Sequence, residues 1–133
     1  MDRRRLLLAL GLLAAVSGAA RAEERGERKK GGGATFIQIQ TLTATIIRVD
    51  GRRGVMTVES GLDIPDTALR ERAQLSLPRL RAAFAQVVQT YAAGLAPAAV
   101  PNADYLSHEL QRQTDLVLGR PGARLLLGTI LLN

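Results

Sequence analysis

The chain has 133 residues, 47% of them apolar and 23% charged, which allows one domain with a core of its own and leaves no room for a second. With no cysteine and one histidine it can build neither a disulfide framework nor a structural zinc site of the usual Cys/His type. Aromatic residues make up 3% and there is no tryptophan, so the stacking platforms of single-strand and RNA readers are largely missing.

The first 22 residues read as an export signal: Arg3, Arg4 and Arg5 form a positive start, residues 6 to 20 are uncharged and mostly apolar, and Ala20-Arg21-Ala22 offers small residues at both cleavage-box positions. A helix over those fifteen residues is about 22 Å long, short of the roughly 30 Å hydrocarbon core of a bilayer. The run Asp2-Arg3-Arg4-Arg5-Leu6-Leu7 resembles the twin-arginine signature, and an ordinary secretory start fits it as well. Cleavage before Glu23 removes four arginines and one aspartate, leaving 14 basic and 11 acidic residues. The net charge of +6 thus falls to +3, most basic residues read as solvated surface, and nucleic acid is not an expected partner.

Residues 23 to 33 alternate charge and end in three glycines, a composition with nothing to bury, so they read as a flexible tether. No GKS/T motif follows the glycines, which removes a phosphate loop. Residues 35 to 49 are rich in β-branched side chains with period two, the pattern of a half-buried strand. Ile37 and Ile39 share one parity whereas Leu42, Ala44 and Ile46 share the other, so a bulge or a break is expected near Gln40 and Thr41. Asp50-Gly51-Arg52-Arg53-Gly54 supplies turn chemistry and residues 55 to 62 read as the returning strand.

Ile64-Pro65-Asp66 ends that strand and opens a helix to about Leu75, with Asp66 as cap and Asp66/Arg70 spaced as an i,i+4 pair. Ser76-Leu77-Pro78 reads as a second start, with Ser76 capping. Leu77, Leu80, Phe84, Val87, Val88, Tyr91 and Leu95 recur at helical spacing and mark the principal core helix, ended by Gly94. Two prolines make residues 96 to 102 a loop, and Asn102 or Ala103 opens a helix to about Leu118 whose buried stripe is Leu106, Leu110 and Val117. Gly119-Arg120-Pro121-Gly122 stops it and residues 124 to 132 form a terminal strand. The order strand, strand, helix, helix, helix, strand predicts an α+β fold, with helices on one face of an antiparallel-biased sheet.

No catalytic constellation, cofactor site or metal site is read from these residues. The one histidine, His108, adjoins Ser107, but neighbouring helix positions diverge by about 100 degrees and cannot meet. Asp104 and Arg112 lie four residues to either side as its expected charge partners. Asp63 and Asp66 flank Pro65 between strand and helix, where capping accounts for them better than acid–base or metal chemistry. The terminal strand carries the candidate interface. In a three-stranded sheet it lies at an edge, and Leu126, Ile130 and Leu132 occupy one parity opposite Leu125, Leu127 and Leu131. Either residues 35 to 40 pair on that edge or a second subunit covers it.

The run Val55-Met56-Thr57-Val58-Glu59-Ser60-Gly61-Leu62-Asp63, then Leu77-Pro78-Arg79-Leu80-Arg81, then residues 125 to 132, behind an exported segment and a Gly-rich tether, resembles the periplasmic domain of the FliL family over about residues 34 to 133. The resemblance implies a stomatin-like domain associated with the flagellar basal body, one that forms rings and supports the motor's stator units. Residues 77 to 91 match that family's scaffold helix and residues 124 to 132 its core strand, and no catalytic residue carries over. FliL proteins keep a transmembrane helix; here the signal is short, so membrane contact follows only if it stays uncleaved.

The expectation is therefore a non-enzymatic periplasmic structural or interaction protein with a homo-oligomer, stator or basal-body partner. The alternative is a periplasmic binding module for a small or apolar ligand. A closed apolar cavity distinguishes the binding module, and a cleft with convergent polar groups an enzyme.

Overall fold

The computed structural model describes residues 33–133. The signal at 1 to 22 and, apart from Gly33, the tether at 23 to 33 lie outside the described residues. Strand β1 (Phe36–Ile47) and strand β2 (Arg53–Asp63) form a hairpin, helices α1 (Thr67–Leu75), α2 (Leu77–Ala93) and α3 (Ala103–Leu118) follow, and strand β3 (Arg124–Leu132) closes the chain. The fold is α+β, with one antiparallel sheet in the order β1-β2-β3. Residues 35 to 40 do not reach the outer edge of β3: Phe36 pairs with Asp63 and Ile39 with Ser60, which puts β2 between the other two strands.

The expected bulge lies between Ile39 and Leu42, and the strand runs through it unbroken. Its extra residue brings both parity sets onto one face, so Ile37, Ile39, Leu42, Ala44 and Ile46 are all buried. A second irregularity, between Val58 and Ser60 on β2, sets Gly128 and Thr129 of β3 against Glu59. A Cβ on Gly128 would stand 3.2 Å from both the Cβ and the carbonyl oxygen of Glu59, so glycine permits the close approach there. Both outer strands therefore bulge opposite the same residue. The rows Ile37–Leu62–Leu125, Ile39–Ser60–Leu127, Leu42–Val58–Ile130 and Ala44–Met56–Leu132 face the helices.

Helix α2 packs on β1 and α3, and α3 packs on β3. Leu80, Phe84, Val88 and Ala92 are the buried line of α2, with Leu77, Val87, Tyr91 and Leu95 half-buried beside it. In α3 the buried line is Leu106, Leu110, Thr114 and Leu118, one step every fourth residue, while Val117 stands beside it, half-buried. Thr114 is tolerated because its hydroxyl donates to the Leu110 carbonyl at 2.8 Å. Helix α3 starts at Asn102, whose side chain accepts from the Tyr105 amide, and ends at Gly119 in the left-handed conformation.

The helix junctions depart from simple capping in two ways. Asp66 caps α1 by accepting from the Leu69 amide at 2.9 Å, but its charge partner is Arg120, also at 2.9 Å, instead of Arg70. Arg70 donates to the Ile64 carbonyl at 2.8 Å, because the chain's turn at Pro65 leaves that acceptor within its reach. Ser76 makes no side-chain cap; the preceding helix turn occupies it, with its amide donating to the Arg72 and Ala73 carbonyls.

Candidate functional site

The edge strand β3 is built in two halves. At its start, the Gln111 side chain of α3 donates from Nε2 to the Ala123 carbonyl at 2.8 Å and accepts at Oε1 from the Leu125 amide at 2.8 Å. One carboxamide thus takes the place that a fourth strand would take, and that part of the edge is closed. The far half has no such cover among the described residues. Val55 and Asn133 exchange both backbone hydrogen bonds, at 2.9 and 3.0 Å, so alternation along an antiparallel ladder turns the amide and carbonyl groups of Ile130 and Leu132 away from β2.

The candidate residues Leu126, Ile130 and Leu132 do not share a face. The bulge at Gly128 and Thr129 inverts the parity of the strand, so Ile130 and Leu132 lie in the rows that face the helices, and Leu126 lies on the opposite, open face. Leu131 joins Leu126 on that open face, opposite Thr57. Near the start of β1 the open face is partly filled: the Phe36 ring lies over Gly61, where any Cβ would collide with it.

Beyond the end of β3 lies a groove of about 790 Å³, open to solvent, between the hairpin turn and the loop 95 to 101. Its lining is mainly apolar, with Ile46, Leu95, Val100, Ile130 and Leu132 among it, and Arg48 and Asp50 at the hairpin. A neighbouring cleft of about 660 Å³ lies between α2 and α3. There the Asn102 amide donates to the Tyr91 hydroxyl at 2.6 Å, and the Tyr91 and Tyr105 rings stack with centroids 5.7 Å apart. These contacts tie the end of the loop, where α3 begins, to α2.

The residues weighed for chemistry are dispersed. His108 is exposed on α3 and makes an ion pair with neither Asp104 nor Arg112 among the described residues; Arg112 pairs with Glu109 at 3.2 Å, because that carboxylate, unlike an imidazole, carries the opposite charge at a neighbouring helix position. Asp63 accepts from the Thr35 hydroxyl at 2.6 Å and ties the two ends of the hairpin together, while Asp66 serves as the helix cap. Among the described residues no group of three or more His, Cys, Asp or Glu side chains could hold a metal ion, and no helix is long and apolar enough to cross a membrane.

One buried polar group stands alone. The Ser60 hydroxyl sits in the row between Ile39 and Leu127 with no hydrogen-bond partner among the described residues. Ser60→Ala should therefore raise stability by about 1 kcal/mol, because it removes an unpaired buried hydroxyl at little loss of volume. Urea denaturation followed by circular dichroism measures it, and a lower midpoint would mean that the hydroxyl has a partner.

Neither Gln111 nor the groove was an expectation of the sequence. A glutamine one position from the buried Leu110 is a weak hint of a structural role, and the run Ala96-Pro97-Ala98-Ala99-Val100-Pro101, which has no polar side chain, is a stronger one for the groove. Compared with known proteins, the chain matches no protein-family model and has no significant match among curated protein sequences.

Proposed function

We propose that this chain is a non-enzymatic interaction protein of the periplasm, similar to the FliL family, that works by pairing with other protein chains through the far half of β3. The observation that carries the reading is the half-covered edge: Gln111 closes the start of the strand, whereas Ile130 and Leu132 turn backbone donors and acceptors outward with no charge or proline from residue 125 onward to deter a partner strand. A second copy of the chain, or a stator or basal-body protein, would supply that strand.

Light scattering at micromolar concentration tests the self-pairing form. The wild type should exceed monomer mass and Leu132→Pro, which removes an outward amide from a half-exposed position without taking a bond from β2, should return it to monomer, while Leu126→Lys, on the open face, should have the smaller effect. A wild type that stays monomeric throughout removes self-pairing and leaves the edge to a different protein. For the motor role, the expected findings are neighbouring motility genes and impaired swimming in a strain lacking the chain; normal swimming would remove that role and leave the interaction role standing. Export is tested by intact mass of periplasmic protein, which should begin at Glu23. Full-length protein in the membrane fraction would reject cleavage.

A further inference from the structure

The end of the domain that carries the groove has a second character, independent of strand pairing. Its most exposed side chains are apolar: Val49 on the hairpin turn is 76% exposed and Val100 on the facing loop is 87% exposed. Both line the same groove, one on each side of it, and both keep most of their surface open to solvent. Both loops are held in shape. The Arg48 amide donates to the Arg52 carbonyl at 2.8 Å and the Arg52 amide to the Asp50 carboxylate at 3.0 Å, which closes the turn. The facing loop has Pro97 and Pro101, an Ala99 amide bonded to the Ala96 carbonyl at 3.0 Å, and Ala98 at φ 65, a conformation unusual for a residue with a Cβ. Exposed apolar groups are thus carried on loops closed by their own backbone hydrogen bonds.

The hairpin turn carries an excess of positive charge. Arg48 flanks Val49 directly, and Arg52 and Arg53 follow across the turn, all three exposed. The one carboxylate on the turn, Asp50, is already engaged by the Arg52 amide and lies 3.9 Å from the Arg48 guanidinium. Asp104, in the first turn of α3, is the next acidic residue along from the loop and still leaves three positive groups against two negative ones. An apolar tip on an arginine-bearing turn, facing a second apolar tip across the groove, suits an anionic bilayer, whose phosphates accept from guanidinium groups and whose acyl region takes the valines.

We propose that this end of the domain docks on an anionic lipid bilayer, with Val49 and Val100 entering the headgroup boundary and Arg48, Arg52 and Arg53 at the level of the phosphates. The mode is peripheral and needs no membrane-spanning helix.

The chain has no tryptophan, so one introduced at Val100 reports on that rim alone, and one introduced at Leu75, on α1 and also 87% exposed, is the matched control. Full-length chains carry either substitution, so residues 1 to 32 are common to both and any adsorption through them cancels in the comparison. The vesicles are phosphatidylcholine with or without a third of phosphatidylglycerol. Val100→Trp should show blue-shifted emission and quenching by brominated lipid only in the anionic vesicles, and Leu75→Trp should show neither. Adding Arg52→Gln and Arg53→Gln to the Val100→Trp chain should lower vesicle partitioning roughly thirtyfold, from about 1 kcal/mol per basic residue at an anionic surface. Unchanged Val100→Trp emission, or equal changes at both positions, would overturn the proposal. So would a response to monomeric fatty acid without one to vesicles, which would make the groove a pocket for single acyl chains.

Discussion

Phe84→Ala should lower the stability of the domain by about 3 to 5 kcal/mol. Phe84 is fully buried at the middle of α2, one turn from Leu80 and one turn from Val88, which are also fully buried, and the helix that carries it touches both β1 and α3. Its ring is thus enclosed on the helix that meets both sheet and neighbouring helix, where truncation leaves a void that the surrounding core closes only in part. Domains of this size have roughly 5 to 15 kcal/mol in all, so the variant stands near the limit of folding at 25 °C. Thermal denaturation followed by circular dichroism is the measurement. An unchanged midpoint would contradict the burial of that position.

Gln111→Leu should cost about 1 to 3 kcal/mol and also change association. The glutamine amide is the partner of two backbone groups at the start of β3, the Ala123 carbonyl and the Leu125 amide, and leucine offers neither a donor nor an acceptor. Water or another strand must then satisfy them. Because the closed half of the edge is opened, the variant should scatter more light than the wild type at equal concentration. Gln111→Glu keeps the acceptor for Leu125 but sets a carboxylate against both the Ala123 carbonyl and the Asp115 carboxylate, to which the amide also donates at 3.0 Å, so it should lose the donor half of the bridge. A Gln111→Leu chain as stable as the wild type would mean that the side chain is not the lock on this edge.

The contrast between the two bulges shows what a sequence can carry. In β1 polar and apolar residues alternate, so the parity change between Ile39 and Leu42 is visible as a break in rhythm. In β3 the residues around Gly128 and Thr129 are apolar at both parities, no rhythm exists to be broken, and the inversion that separates Leu126 from Ile130 and Leu132 leaves no trace. Capping by Asp66 and Asn102 is legible because donor and acceptor are three residues apart. The pairing of Asp66 with Arg120 spans 54 positions, and Gln111 reaches a strand that only the tertiary fold brings beside it. Thr114 eluded a search for apolar residues because its hydroxyl is satisfied inside its own helix. The candidate surface was legible as a run, residues 125 to 132, with no polar side chain except Thr129; which of its residues face outward was not.

Glu59 stands where both neighbouring strands carry their extra residue. Bulges interrupt the ladder locally, so the middle strand loses regular pairing to left and right at one level, and the sheet consists of two short hydrogen-bonded blocks joined at that row. The first block, with residues 36 to 39, 60 to 63 and 124 to 127, is fastened to α3 by Gln111. The second, with residues 42 to 47, 53 to 58 and 130 to 132, carries the hairpin turn, and no side chain of α3 bonds to its edge among the described residues. The two blocks are therefore tied to the helices by different means: the first by a side-chain bridge from α3 as well as by its buried rows, the second by its buried rows Leu42–Val58 and Ala44–Met56 alone. A partner or a lipid surface that engages the far block thus meets the half of the sheet whose edge no helix side chain has claimed among the described residues.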